Sequence, residues 1–405
     1  MGGFGERLVG LADDLARHTD GPGLTRLYLS KAHRATAEAV LELMREAGLD
    51  ARIDALGNVV GRLGPPGPAL LIGSHIDSVV DAGRYDGPLG LLAGIVAVEE
   101  IRRQGLRLPF ALEVLAFGDE ENVRFPTNLS TSYALAGRYR PEWLDGADAD
   151  GITLRAALEG FGGDPDGIAA LARDPERTLG YLEVHIEQGP VLEAEDLPVG
   201  IVSAINGITR ARAHVVGEAG HAGTVPMAMR RDALAALAEM VVAVERLGAA
   251  RTDTVATVGV AQVQPGAINV IPGRVDFTLD VRAPDDAVRR NLVADIEDAC
   301  RAIAARRNVS LAIAPFMDSP ATPMDPGLAG ALEAAVAAAG VRPLRLPSGA
   351  GHDAVAMASL CPAAMLFVRC KGGISHNPAE SITPADADVA VRVLIDAVRR
   401  VAESG

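Results

Sequence analysis

Cysteine is scarce in this chain. Only Cys300, Cys361 and Cys370 occur in 405 residues, an odd and scattered set without a CxxC pair. That excludes a disulfide framework and fits reduced thiols in a cytoplasm. No uninterrupted apolar run reaches the roughly 18 residues needed to span a bilayer. Basic residues are also short: 38 Lys and Arg against 53 Asp and Glu leave a formal net charge of -15. Such a surface repels phosphate backbones and anionic lipid, which argues against nucleic-acid and membrane partners. The opening residues, Met1 to Glu6, lack the basic start and apolar core of a signal peptide, and Glu6 breaks the myristoylation pattern, so a cytoplasmic location is expected. There is no internal repeat and no low-complexity tract. What remains, 49% hydrophobic and 22% charged residues, is the composition of an ordinary globular protein long enough for two domains.

Leu8, Leu11 and Leu15 recur at helical spacing, and Ala35 to Ala47 continues in that style. Four short apolar runs then follow the strand template, each ending in His, Asp or Glu: Ala69 to Ile72 before Gly73-Ser74-His75-Ile76-Asp77, Leu112 to Phe117 before Gly118-Asp119-Glu120-Glu121, Tyr181 to Ile186 with His185 and Glu187, and Ala364 to Val368 before Gly372-Gly373-Ile374-Ser375-His376. Helical stretches such as Leu89 to Arg103 lie between them. In open α/β sheets the ligand site lies beyond the carboxyl ends of the strands, so four polar strand ends predict one shared site. Between about Gly207 and Ala321 the order changes to strand (Thr209 to Val216), helix (Arg231 to Leu247), strand (Thr254 to Val263), strand (Arg274 to Val281), helix (Ala287 to Arg306) and strand (Ser310 to Ala314). That is the β-α-β-β-α-β unit of ferredoxin-like folds. The expected fold is therefore α/β: a catalytic domain with a mostly parallel sheet, residues 1–206 and 322–405, interrupted by an α+β domain at 207–321.

Three of the eight histidines, His75, His185 and His376, sit in the strand-end clusters. With carboxylates they form a ligand set for Zn²⁺ or Mn²⁺. Asp86, in a glycine-rich loop eleven residues after His75, has two oxygens and can bridge two cations about 3.5 to 4 Å apart. The expected assignment puts His75 and His185 on one metal, Glu121 and His376 on the other, and Asp86 between them. Asp77 suits a carboxylate that orients the His75 imidazole. Glu120, beside the ligand Glu121, is the expected general base, accepting a proton from a cation-activated water. Any one of these residues alone is more often a surface or capping group. Five at predicted strand ends are not, and a carboxylate-rich set is unlike the closed Cys/His cage of a structural zinc site. The inserted domain carries His221 in Gly220-His221-Ala222-Gly223-Thr224, Asn269, and Arg282 at a strand end. An imidazole, an amide and a guanidinium can hold a substrate carboxylate and stabilise an oxyanion, although singly Asn269 reads as a turn residue and Arg282 as a surface charge.

From about Ala51 to Thr383 these motifs resemble the M20 metallopeptidase clan, and within it the amidase, hydantoinase and carbamoylase branch. Gly73-Ser74-His75-Ile76-Asp77-Ser78 with Gly83-Arg84-Tyr85-Asp86-Gly87 resembles the first metal motif of the clan, and Glu120-Glu121-Asn122-Val123-Arg124-Phe125 its pair of base and ligand. The segments His185-Ile186-Glu187-Gln188-Gly189-Pro190 and Gly220-His221-Ala222-Gly223-Thr224-Val225-Pro226-Met227 resemble the branch in particular. Two departures stand out: Asn122, where the family usually has glycine, and the poorly matching Pro126-Thr127-Asn128-Leu129-Ser130-Thr131.

The resemblance implies two Zn²⁺ or Mn²⁺ ions, a homodimer formed through the inserted domain acting as a lid, and a small substrate with a ureido group near a carboxylate. It implies substrate-binding roles for Gln188, Asn269, Arg282, and Gly349 and His352 in the Ser348–Asp353 loop, and a catalytic role for His221 beside Glu120 and Asp77. Asp81–Gly87 and Phe367–His376 look most like allantoate amidohydrolases, which form ureidoglycine, ammonia and carbon dioxide. The alternatives are an N-carbamoyl-L-amino-acid amidohydrolase, a β-ureidopropionase-like enzyme, and a catalytically idle homologue that binds a small acid. The presence of Glu120 speaks against the last.

Overall fold

The structure, a computed structural model, describes residues 3–404. The chain divides into two compact units: residues up to Ser203 with Met324–Leu346 and everything from Ala350 onward, and Ala204–Pro323 with Pro347–Gly349.

In the first unit the strands run across the sheet in the order Asp50–Ile53, Val59–Leu63, Ala111–Phe117, Ala69–His75, Thr178–Ile186, Ala363–Val368, Val199–Ile205. The middle of the sheet is parallel, from Ala111–Phe117 through Ala69–His75 and Thr178–Ile186 to Ala363–Val368, and pairing towards both edges is antiparallel. Every residue of Ala69–His75, Ala111–Phe117 and Ala363–Val368 is buried. Continuous burial requires cover on both faces, which is why these strands read as unbroken apolar runs. Helix Pro88–Arg103 packs against Ala69–His75 and Thr178–Ile186, and helix Lys31–Glu46 against Asp50–Ile53 and Val59–Leu63. Three elements had no clear sequence signal: the hairpin Asp50–Ile53/Val59–Leu63, the strand Val199–Ile205 and the long helix Pro384–Ser404.

The second unit builds an antiparallel sheet in the order Ala261–Gln264, Arg274–Ala283, Gly207–Val216, Ser310–Ser319. Burial alternates along Gly207–Val216 and Arg274–Ala283, so one face meets the helices Ala233–Ala249 and Asp286–Arg307 through a core that includes Val215, Leu237, Met240, Phe277, Leu292 and Ile296. The first of these helices starts at Ala233 rather than Arg231, because the Asp232 carboxylate caps it by accepting from the N–H groups of Leu234 and Ala235. The expected single strand Thr254 to Val263 is broken into Val255–Thr257 and Ala261–Gln264. Thr257 pairs with Asp280 and Ala261 with Phe277, so Val258, Gly259 and Val260 face only Thr278 and Leu279. This is a β-bulge, which apolar periodicity does not reveal because the flanking valines read straight through it. Residues 347–349 join this unit because Asn206 N–H donates to Ser348 O at 2.9 Å and Arg282 Nη1 to Gly349 O at 2.6 Å.

Candidate metal centre

His75 is the last residue of its strand, His185 the penultimate residue of the next, Glu120 and Glu121 follow the third at once, and His376 lies past the fourth after a short turn. Because these four strands are parallel neighbours, their ends open on one side of the sheet. Asp86 lies two residues before Pro88, the first residue of helix Pro88–Arg103, whose N-terminal end carries partial positive charge. Between them Gly87 turns with φ of 85°, and a Cβ there would stand 2.5 Å from His75 Cε1.

Asp86 stands in the middle of the cluster. Its Oδ1 lies 3.2 Å from His185 Nε2 and 3.7 Å from His75 Nε2, while its Oδ2 lies 3.2 Å from His376 Nε2. His376 Nε2 is in turn 3.5 Å from Glu121 Oε2. The donor atoms of His75, Asp86 and His185 all lie within 4.8 Å of one another, and so do those of Asp86, Glu121 and His376. The other ring nitrogens of the two buried histidines face main-chain oxygens, His75 Nδ1 at 3.1 Å from Asp77 O and His185 Nδ1 at 3.0 Å from Ile186 O, which leaves each Nε2 for a ligand. His185 Nε2 and Glu121 Oε1 are buried and make no hydrogen bond. Imidazole and carboxylate atoms that converge without bonding one another fit a divalent cation of the Zn²⁺ or Mn²⁺ kind.

The electrostatics agree. Burial opposes the charged form of His75, yet the carboxylates of Asp77 and Asp86 overcome it and hold the imidazole well above its usual range. Burial opposes ionisation of Asp86, but His185, His376 and His75 together hold it well below the carboxylate range. Burial, with neighbouring carboxylates adding to it, pushes Glu121 up to about 7 and Glu120 well above its ordinary value. So many buried acids in one place demand positive charge.

Asp77 does more than face His75. Its carboxylate accepts from Glu120 N–H at 3.1 Å and from Glu121 N–H at 3.1 Å, fixing the backbone that carries both side chains. Glu120 O accepts from Asn128 Nδ2 at 2.8 Å, and Asp119 accepts from the hydroxyls of Thr127 and Ser130. The segment 126–131, which matches the family poorly, is thus the strap behind Glu120. Asn122 adopts φ of 53°, the left-handed region that glycine favours and asparagine tolerates best among other residues. With its carboxamide nitrogen turned to the loop it donates to Thr127 O at 2.8 Å and Phe125 O at 3.2 Å. Gln188 and His376 also have positive φ, at 56° and 54°, each costing roughly 1–2 kcal/mol.

A cleft of about 260 Å³ is lined by His75, Asp86, Glu120, Glu121, Asn122, Asn128, His185, Gln188, Ala350, Gly351 and His376. Gln188 Nε2 donates to Asp86 Oδ2 at 2.9 Å and to Ser375 Oγ at 3.2 Å. His352, expected to bind substrate, is buried with its ring edge-on to His185 at 4.5 Å between centroids, and Ala350 and Gly351 of the same loop line the cleft instead. In the second unit His221 and Asn269 are exposed on a two-stranded ribbon, with His221 Nδ1 accepting from Gly223 N–H at 3.0 Å and Asn269 O from Ala222 N–H at 2.9 Å. Arg282 is engaged by the Asp280 carboxylate, at 2.7 and 3.0 Å, as well as by Gly349 O. Gly349 lies in this unit too.

Three further buried acids lie near the centre. Glu183 accepts from Ser74 Oγ at 3.1 Å and Ala354 N–H at 2.9 Å, Asp353 is wholly buried beside it in chain terms at Ala354, and Glu380 contacts the Asp86 loop. Glu183 lies two residues before His185, on the same face of its strand.

Residues 71–400 match the peptidase family M20/M25/M40. The chain is 41% identical to an N-carbamoyl-L-amino acid amidohydrolase of Geobacillus stearothermophilus over 94% of each protein, and 40% identical to a probable allantoate deiminase of Oryza sativa subsp. japonica over 95% of this chain and 86% of that one. Among solved structures, an amidase of the hydantoinase/carbamoylase family from Burkholderia multivorans superposes with a TM-score of 0.92 at 33% identity, covering 98% of both chains. With four strand-end motifs meeting at Asp86 and a match across most of its length, the chain belongs to peptidase family M20/M25/M40.

Proposed function

We propose that the protein hydrolyses the ureido C–N bond of a small carboxylic acid, with allantoate as its substrate and ureidoglycine, ammonia and carbon dioxide as products. The observation that carries this reading is the placement of Asp86, whose two oxygens face two separate groups, His75 with His185 and His376 with Glu121. Two ions of Zn²⁺ or Mn²⁺ held by these residues would supply Lewis-acid polarisation of the ureido carbonyl and acidify the attacking water. Glu120, which this chain keeps beside Glu121 with its backbone fixed by Asp77, takes the proton of the water and returns it to the leaving nitrogen. Arg282, Asn269 and Gln188 are assigned the substrate carboxylate, with Gly349 and His352 on the loop that shapes the pocket, and His221 the tetrahedral oxyanion.

Allantoate is preferred on the likeness to a probable allantoate deiminase and because, beyond the residues assigned to the ions and the base, the cleft offers the amides of Asn122, Asn128 and Gln188 to a second ureido arm. The likeness to an N-carbamoyl-L-amino acid amidohydrolase favours N-carbamoyl-L-amino acids as the second reading. Ammonia release by Mn²⁺- or Zn²⁺-supplied protein decides between them. Turnover of allantoate well above that of N-carbamoyl-L-amino acids supports the first, the reverse order the second, and ammonia from neither removes both.

The Ala204–Pro323 unit is assigned the role of a lid and of a homodimer interface. Supporting the second role, helix Ala233–Ala249 exposes Leu234, Val241 and Val242, spaced seven and eight residues apart on one face. A cytoplasmic location is in keeping with Cys300, Cys361 and Cys370, which are all buried and unpaired.

A further inference from the structure

We propose that Glu380 is a positioning residue for the metal centre: a carboxylate clamp that holds the bridging Asp86 against His376. The proposal rests on the reading of Asp86 as the residue shared by two cations.

Asp86 and His376 come from loops almost 300 residues apart, and neither loop belongs to a regular element that would fix it. Glu380 closes the gap. Its Oε1 accepts from the backbone N–H groups of Tyr85 at 2.8 Å and of Asp86 at 3.1 Å. Its Oε2 lies 3.3 Å from the Ser375 hydroxyl, which also reaches Asp86 Oδ2 at 2.7 Å. Ser375 adjoins His376, and its one proton is shared between Asp86 Oδ2 and the more distant Glu380 Oε2, so one carboxylate grips the backbone of one ligand and also meets the hydroxyl that touches the side chain of that ligand from the chain next to the other. Glu380 itself sits in a turn closed by its N–H on Asn377 O at 3.0 Å, which ties its position to the His376 loop.

Two further observations set Glu380 apart from an incidental buried acid. It is 4% exposed and, among the described residues, makes no ion pair, so its burial is offset only by these hydrogen bonds. The loop that carries Asp86 is also shaped around it, because a Cβ at Gly83 would stand 2.3 Å from the Glu380 carboxyl carbon. Groups that orient metal ligands typically change metal affinity by 10- to 100-fold when removed.

The test measures Mn²⁺ binding to metal-free protein by chelator competition and elemental analysis, with thermal unfolding as the check on folding. Glu380→Ala should weaken the more labile of the two ions at least about tenfold, Ser375→Ala should weaken the same ion by less, and Glu380→Gln, which keeps an acceptor for the two N–H groups, should recover most of the affinity. Folded Glu380→Ala with both ions bound as in the wild type overturns the proposal. Should Glu380→Ala not fold, Ser375→Ala with unaltered affinity for both ions overturns it. Wild-type protein that binds fewer than two ions refutes the bridged site itself, and the clamp with it, whereas two ions with no ureido hydrolysis refutes only the proposed reaction.

Discussion

The strands of the two units are buried in different ways, and the difference decides where each can keep chemistry. In the first unit, Ala69–His75 and Ala111–Phe117 are buried at every position, whereas in the second, Gly207–Val216 and Arg274–Ala283 alternate between buried and half-buried. A strand covered on both faces can offer a polar group to a ligand only at its end, so His75, Glu120 and Glu121 are forced together there. A strand covered on one face displays polar groups along its whole length, and Arg210, Arg212, Asp276, Asp280 and Arg282 all share that exposure. The first arrangement fixes ligands by burial and reciprocal contacts. The second leaves the Arg282 side chain partly exposed on a paired strand, suited to binding rather than to holding an ion.

The largest loss of activity should follow the removal of divalent cations. Dialysis against a chelator should reduce ammonia release to background, and Mn²⁺ or Zn²⁺ should restore it, because the first unit's acids and imidazoles have no other electrophile to offer. Activity that survives in protein shown to be metal-free would break the account. Next in size is Glu120→Gln, which removes a base without removing a ligand. We expect kcat to fall at least about a hundredfold with metal content unchanged by elemental analysis, and a near-normal kcat takes Glu120 out of its role.

Smaller effects are expected from the second unit. Arg282→Ala removes a guanidinium suited to a carboxylate, and charge-assisted hydrogen bonds are worth about 1.5–3 kcal/mol, so KM should rise roughly ten- to a hundredfold for carboxylate substrates and little for their amides. Equal losses on both would make the Asp280–Arg282–Gly349 contacts a fold device. The smallest effect on chemistry should come from the core of that unit: Leu292→Ala leaves a cavity and should destabilise by about 2–5 kcal/mol in denaturant titrations, with kcat near normal below the unfolding range. A large fall in kcat from this change would show that the second unit's packing reaches the chemical step.

The same contrast explains what could be read in advance. The convergence of imidazoles and carboxylates at the strand ends was legible because each apolar run stops at a His, Asp or Glu, a signal produced by two-sided burial. Gln188, Asn269 and Arg282 stood out only through resemblance, since a half-exposed arginine on an alternating strand looks like any other. The bulge at Val258–Val260 and the strand Val199–Ile205 were hidden because their residues keep β-forming composition or carry no polar end. Glu183 and Glu380 were invisible for a different reason: their partners, Ser74 and Asp86, lie 109 and 294 residues away, and a lone carboxylate has no local pattern. His352 packs its ring on His185, while Ala350 and Gly351 of its loop line the cleft.

The central claim is that Asp86 joins two cations, and Mn²⁺ titration of metal-free protein followed by electron paramagnetic resonance tests it most directly. The account predicts two Mn²⁺ per chain with an exchange-coupled spectrum, the coupling being lost in Asp86→Ala. One ion per chain, or two ions with the spectrum of isolated Mn²⁺, would contradict it.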